Sequence, residues 1–251
     1  MDKGYVLHSY PYRETSLILQ VWTEKHGRLG LVAKGARRPK SSSRSVLVPF
    51  QPIALDWFGR GELRTLKTAE PASPATPLAG ASLLSAFYLN ELLLKLTTRD
   101  DPHEGLFAAY DSAIAELRAI SRLLPRASSL QIEPVLRRFE LKLLQELGYA
   151  VELAREAGSH APIASEREYL YVVERGPVPA PAGADTPANA VRLAGQTLID
   201  LERGDFASAT TASQSKQLMR LLIHYSLNGQ ELATRSLVRD LQRLEGEEGA
   251  R

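Results

Sequence analysis

The hydrophobic period of this chain changes across Pro71-Ala72-Ser73-Pro74-Ala75-Thr76-Pro77, and that change restricts its fold more than any other feature. Three prolines in seven residues favour extended backbone and stop strand pairing, so the segment reads as a semi-rigid linker between residues 1–70 and 78–251. Before it, β-branched and aromatic residues gather in short clusters separated by turn residues. After it, apolar residues recur about every 3.6 positions. Strands followed by helices make an α+β protein.

Strands are read at Tyr5–Ser9, Thr15–Thr23, Arg28–Lys34, Pro52–Phe58 and Glu62–Thr68. Glu24-Lys25-His26-Gly27 supplies the glycine of a tight hairpin, and Gly59-Arg60-Gly61 joins the last two strands. Five short strands in about 70 residues suit a small closed barrel of the OB type. The second part opens with a helix from Leu78 to near Thr97. Asp101-Pro102-His103-Glu104 reads as an N-cap, a proline at the first helical position and an acid at the third, starting a helix that buries Leu106, Phe107, Tyr110, Ile114 and Leu117. A third helix ends at Leu147 with Gly148 as its cap and starts at Ser129 or at Pro134. Further helices are read at Gln196–Arg203, Gln214–Leu227 and Glu231–Leu244, around an irregular insertion at about residues 150–195 with one strand, Tyr169–Val173.

Charge is divided unevenly. The chain has a net charge of +2, yet residues 1–70 hold twelve Lys and Arg against six Asp and Glu. Arg28, Lys34, Arg37, Arg38, Lys40 and Arg44 form a run with no acid between them, and Lys34 to Arg44 is rich in Gly, Pro and Ser. A mobile, cationic loop of that kind suits phosphate, its alternative being a solvated loop that serves solubility. Tyr10 and Tyr12, on either side of Pro11 at a strand end, are the candidates for stacking on bases, while Trp22 and Trp57 read equally well as core.

Other chemistry is largely excluded. The chain has no cysteine, which removes disulfides, thiolate metal sites and cysteine nucleophiles. It carries no phosphate-binding glycine loop, no dinucleotide fingerprint and no H-E-x-x-H or G-x-S-x-G motif, and its five histidines lie far apart. Asp100 and Asp101 would serve a metal-dependent nuclease, but helix capping accounts for them better. No catalytic residue, metal or cofactor is expected. With no signal-like or membrane-length apolar run, the chain reads as cytoplasmic.

In Glu133-Pro134-Val135-Leu136-Arg137-Arg138-Phe139-Glu140-Leu141, an arginine at the edge of an apolar groove would capture a carboxylate attached to a hydrophobic group. The alternative is an intramolecular pair of Arg137 with Glu133 or Glu140.

Seven segments in order resemble the RecO family of recombination mediators: Val6-Leu7-His8-Ser9, Glu14-Thr15-Ser16-Leu17, Gly27-Arg28 through Leu31 to Arg37, Gly59 to Leu63, Tyr88 to Leu92, Leu136 to Leu141, and Leu147-Gly148-Tyr149. The resemblance spans about residues 5–150. It implies an OB fold followed by a helical domain, binding of single- and double-stranded DNA, and annealing of complementary strands. It also implies work with RecR, and sometimes RecF, to place RecA on strands coated by single-stranded-DNA-binding protein, at the nucleoid. Onto this chain it carries Lys34, Arg37, Arg38, Lys40 and Arg44 as DNA contacts, to which the cationic run itself adds Arg28. Arg137 becomes the partner of the coat protein's acidic C-terminal tail, with Leu136, Phe139 and Leu141 as groove walls. Some relatives hold a four-cysteine zinc module after the position of Tyr149; Val151 to Val173 here has none. An RNA-binding OB protein, or a scaffold without annealing activity, is the alternative.

Overall fold

The structure is a computed structural model and describes residues 1–237 except 42, 75, 124–128, 150, 182 and 184, with the side chains of 129 and 130 also outside the description. The part of the expected helix Glu231–Leu244 beyond residue 237 lies outside the described residues.

Five strands, β1 (Asp2–Tyr12), β2 (Ser16–Thr23), β3 (Gly27–Ala33), β4 (Pro52–Phe58) and β5 (Leu63–Pro71), close into a barrel in the order β1-β2-β3-β5-β4, with β4 returning to β1. Only the β3–β5 pairing is parallel, as in an OB fold. One short helix, α1 (Ser43–Val46), precedes β4. Alternation along the strands sends Leu19, Val21, Leu29, Leu31, Ile53 and Leu55 inward to a common core. β1 is longer than the expected Tyr5–Ser9 because its far end, Pro11 included, pairs with the start of β2. A bulge between Val6 and His8 breaks the alternation, so that Val6 and Leu7 are both buried.

The outer side of β1 carries Tyr5, and two helices, α2 (Gly80–Leu96) and α3 (Glu104–Leu123), cover it. The Tyr5 ring lies 5.1 Å from Tyr110 and 6.1 Å from Phe107. Its hydroxyl donates to Asp111, which also pairs with Lys3 at 2.8 Å. Asn90 donates to the Leu7 carbonyl at 2.9 Å and accepts from the Tyr110 hydroxyl at 2.6 Å, satisfying two buried groups at once. Trp22 is fully buried and belongs to the core, whereas Trp57 is half-buried with His26 edge-on at 5.1 Å.

α3 opens at Glu104, two residues later than Pro102. Gly27 has φ +66°, and a Cβ there would lie 2.0 Å from the Asp101 carbonyl oxygen, so the Asp101 backbone rests on the barrel instead of entering the helix. The Asp101 carboxylate accepts from Thr98 Oγ1 at 3.0 Å and meets His103 Nε2 at 3.2 Å.

These contacts group α2 and α3 with the barrel. The elements β1 to α3, with the described residues from Leu232 onward, form one compact unit, and the elements after them form a second. Compactness therefore does not divide at the proline-rich segment, because the apolar outer side of the barrel needs the first two long helices to bury it.

The second unit holds α4 (Ser129–Glu146), β6 (Glu168–Val172), β7 (Gly176–Pro179), β8 (Ala190–Ala194), α5 (Gly195–Arg203) and α6 (Ala209–Ser226). α4 starts at Ser129 and contains Pro134. The expected irregular connection is instead an antiparallel sheet in the order β7-β6-β8. β7 tolerates Pro177 and Pro179 because it is an edge strand with one side free of ladder bonds. Tyr169, Tyr171, Leu193, Leu198, Leu201, Leu218 and Met219 form the core. In the turns before β6, the buried Glu156 carboxylate accepts from Ser159 Oγ at 2.7 Å and from the Tyr169 hydroxyl at 3.1 Å. Among the described residues, no group of three or more histidines and carboxylates is gathered as a metal-ligand set, and no helix is long and apolar enough to cross a membrane.

Candidate nucleic-acid interface

Local hydrogen bonding stitches the turn between β1 and β2 to the segment after β3. The Arg37 amide donates to the Thr15 carbonyl at 2.8 Å, and the Arg37 guanidinium reaches the carbonyls of Arg13 and Glu14 at 3.5 and 3.4 Å. Ala36 is buried and belongs to the barrel core. Further turns are closed by Arg38 on Gly35 at 3.1 Å, Ser41 on Arg38 at 3.0 Å and Arg44 on Ser41 at 3.3 Å. The cationic run expected as a mobile loop is thus a string of turns pinned at Ala36. Its Gly and Ser residues supply turn conformations, Gly35 at φ +69° among them.

Lys34, Arg37, Arg38, Lys40 and Arg44 are all exposed, and none has an ion-pair partner among the described residues. Cations left to solvent side by side raise the local potential and suit a ligand with repeated negative charge. Arg13 joins them: it sits at φ +52° in the β1–β2 turn with its guanidinium 5.2 Å from the Tyr12 ring centroid. The sequence reading missed it, because this turn comes beside the cationic run through the β2–β3 pairing and the bonds of Arg37 to Arg13, Glu14 and Thr15.

Tyr10 and Tyr12 alternate with His8 along β1, which places the three on one side of the strand. Tyr10 is 48% exposed, with the His8 ring edge-on at 4.3 Å; Tyr12 is half-buried. Both tyrosines lie on the same barrel strand, with Tyr12 directly before the turn whose Arg13 and Glu14 carbonyls Arg37 reaches.

Two of the expected contact residues have partners within the chain. Arg28 is half-buried; its guanidinium donates to the Thr97 carbonyl at 2.7 Å and to Gln20 Oε1 at 3.3 Å. Burial, with Arg99 nearby, lowers its pKa, as befits a cation used to bracket the barrel to the end of α2 rather than one offered to phosphate. Arg137 is 6% exposed and pairs at 2.8 Å with Glu140, which is fully buried. The intramolecular alternative therefore holds. Phe139 is 1% exposed, while Leu136 and Leu141 are half-buried, Leu141 against the core of its unit. Arg137 and Phe139 are thus turned inward in the helix.

The geometry defines a class: an OB-fold protein with a cationic, aromatic-edged surface, continued by a mainly helical second part. The family described as Recombination protein O N terminal matches residues 1–75, and that described as Recombination protein O C terminal matches residues 79–236. The chain is 48% identical over 243 residues to the DNA repair protein RecO of Azoarcus sp. (strain BH72), covering 97% of this chain and 96% of that one. It is 46% identical over 241 residues to the protein of the same name from Nitrosospira multiformis, covering 96% and 95%. Burkholderia pseudomallei (strain 1710b) has another at 48% over 241 residues, covering 96% and 83%. The chain belongs to the RecO family.

Proposed function

We propose that this protein is a non-enzymatic mediator of DNA repair and recombination that binds single- and double-stranded DNA and anneals complementary strands. The observation that supports this most is the acid-free set of exposed cations, Lys34, Arg37, Arg38, Lys40 and Arg44, pinned to the barrel beside Arg13, Tyr10 and Tyr12. Every phosphate looks alike to such a set, so binding is independent of sequence. Two strands held at one basic surface repel each other less and meet at a higher effective concentration, which is what annealing requires. No hydrolysis is needed. With Arg13 in place of Arg28 the count stays at six, and the slope of log affinity against log salt is about −4 on single strands.

The same reading includes strands coated by single-stranded-DNA-binding protein, whose acidic tail supplies the address, and joint action with RecR, sometimes RecF, in loading RecA. Arg137, carried as the partner of that tail, is buried in this structure and pairs with Glu140. The test is the annealing rate of complementary strands pre-coated with full-length or tail-truncated coat protein. Acceleration that depends on the tail is expected. No acceleration on either substrate overturns the proposal and leaves a scaffold.

A further inference from the structure

In the second unit, α4 and α6 both end at one cavity of about 250 Å³. Its floor is core, with Leu144, Leu222 and the ring of Tyr171; its rim carries Tyr149, Tyr225 and Glu174. Burial and the Glu152 carboxylate nearby raise the pKa of Tyr171, so this ring enters as a neutral wall. Tyr149 and Tyr225 are each 44% exposed.

Glu174 is the one charged side chain among the residues lining the cavity. A helix C-terminus is partially negative and cations in the last turn normally offset it, but here backbone amides close both ends: Leu147, Tyr149 and Gly148 donate to Leu143, Leu144 and Gln145, and Leu227, Gly229 and Asn228 donate to Ile223, His224 and Tyr225. The last turn of α4 has no basic residue, and that of α6 has only His224, which does not line the cavity. The carboxylate of Glu174 therefore stands at the cavity with no cation among the lining residues. The backbone holds Glu174 there at φ +63°, a conformation that residues with side chains rarely adopt.

We propose that this cavity receives the guanidinium of an arginine presented by a partner polypeptide. The Glu174 carboxylate supplies the negative charge, the tyrosine rings supply faces for a planar cation, and the apolar floor takes the aliphatic stem. The volume falls below the ~300–1,000 Å³ of small-molecule sites and fits one side chain rather than a cofactor.

The experiment is an amide chemical-shift titration of the full chain with N-acetyl-arginine amide and with N-acetyl-citrulline amide, its neutral counterpart of the same shape. Saturable shifts centred on Tyr149, Glu174 and Tyr225 are expected, with arginine binding about tenfold tighter than citrulline. Glu174→Gln, a change of charge alone at an exposed side chain, removes that preference. Equal binding of citrulline, or no saturable shift at the cavity, overturns the proposal. Tighter binding of N-acetyl-lysine amide than of the arginine compound overturns the assignment to a guanidinium. None of these readouts involves DNA, so the outcome is independent of the proposed annealing activity.

Discussion

The chain holds two Arg-Arg pairs, Arg37-Arg38 in the turns after β3 and Arg137-Arg138 in α4, and the backbone uses them oppositely. In the turns both arginines face water. In the helix the first of the two is carried onto the buried side, where it meets Glu140 one turn on. A charge exposed at the barrel costs little to the fold and is available to a ligand. A charge buried in α4 repays its desolvation only through its partner. Local sequence cannot separate the two cases; the period of the surrounding structure does.

Arg137→Ala tests that contrast hardest. It deprives the fully buried Glu140 of a charged partner and is expected to lower stability by about 3–5 kcal/mol in urea unfolding, with DNA affinity of the folded protein unchanged. Replacing Arg137 and Glu140 together by leucine recovers most of the loss, since no uncompensated charge remains. Unaltered stability in the single variant would mean that Arg137 is free for a ligand after all.

Reversing the exposed pair is the complementary experiment. The Arg37→Glu, Arg38→Glu double variant is expected to bind single strands about a hundredfold more weakly at moderate salt, with the salt slope shallower by about 1.4. Its stability stays within about 0.5 kcal/mol of the parent, as for surface changes generally. A loss of stability matching the loss of affinity would erase the distinction between the two pairs.

The barrel was legible because its strands are bounded by Gly-rich turns and keep an alternating pattern, and the long helices were legible by their period. What escaped reading depended on distant partners. β7 was hidden by Pro177 and Pro179, which forbid a central strand but permit an edge. β8, carrying Val191 and Leu193, is too short to stand out without β6 beside it. At the candidate site the cations of residues 34–44 were visible as composition, but Arg13 was not, because its place follows from the β2–β3 pairing and the bonds of Arg37 to Arg13, Glu14 and Thr15. Arg28 looked like one more cation of the same run until Thr97, 69 residues away, was found to accept from it.

That internal difference makes Arg28 a sharper control than a residue elsewhere. Arg28→Gln removes a charged hydrogen bond to the Thr97 carbonyl and is expected to cost about 2 kcal/mol of stability. DNA affinity should change by less than about twofold, within the scatter of surface substitutions. If an affinity titration instead shows a loss comparable to that of the Arg37–Arg38 reversal, the bracket also serves the ligand and the division within the run is too strict.

A smaller effect separates buried from exposed groups along β1 itself. Tyr5 lies under α3, and burial together with the Asp111 carboxylate raises its pKa far above 10; burial does the same for Tyr110, followed by the influence of Tyr5. In the unfolded chain these phenols ionise near pH 10, whereas in the folded chain they stay protonated. The unfolded state therefore loses protons that the folded state keeps, so stability is intact below pH 10 and falls as pH rises beyond it. Each such tyrosine contributes about 1.4 kcal/mol per pH unit. Tyr5→Phe is expected to flatten the decline by that one increment between pH 10 and 11 in urea midpoints, whatever it costs at neutral pH by losing the hydrogen bond to Asp111. An unchanged slope would place the Tyr5 hydroxyl in contact with water, and the seam between β1 and α3 would then be looser than its packing against Tyr110 and Phe107 indicates.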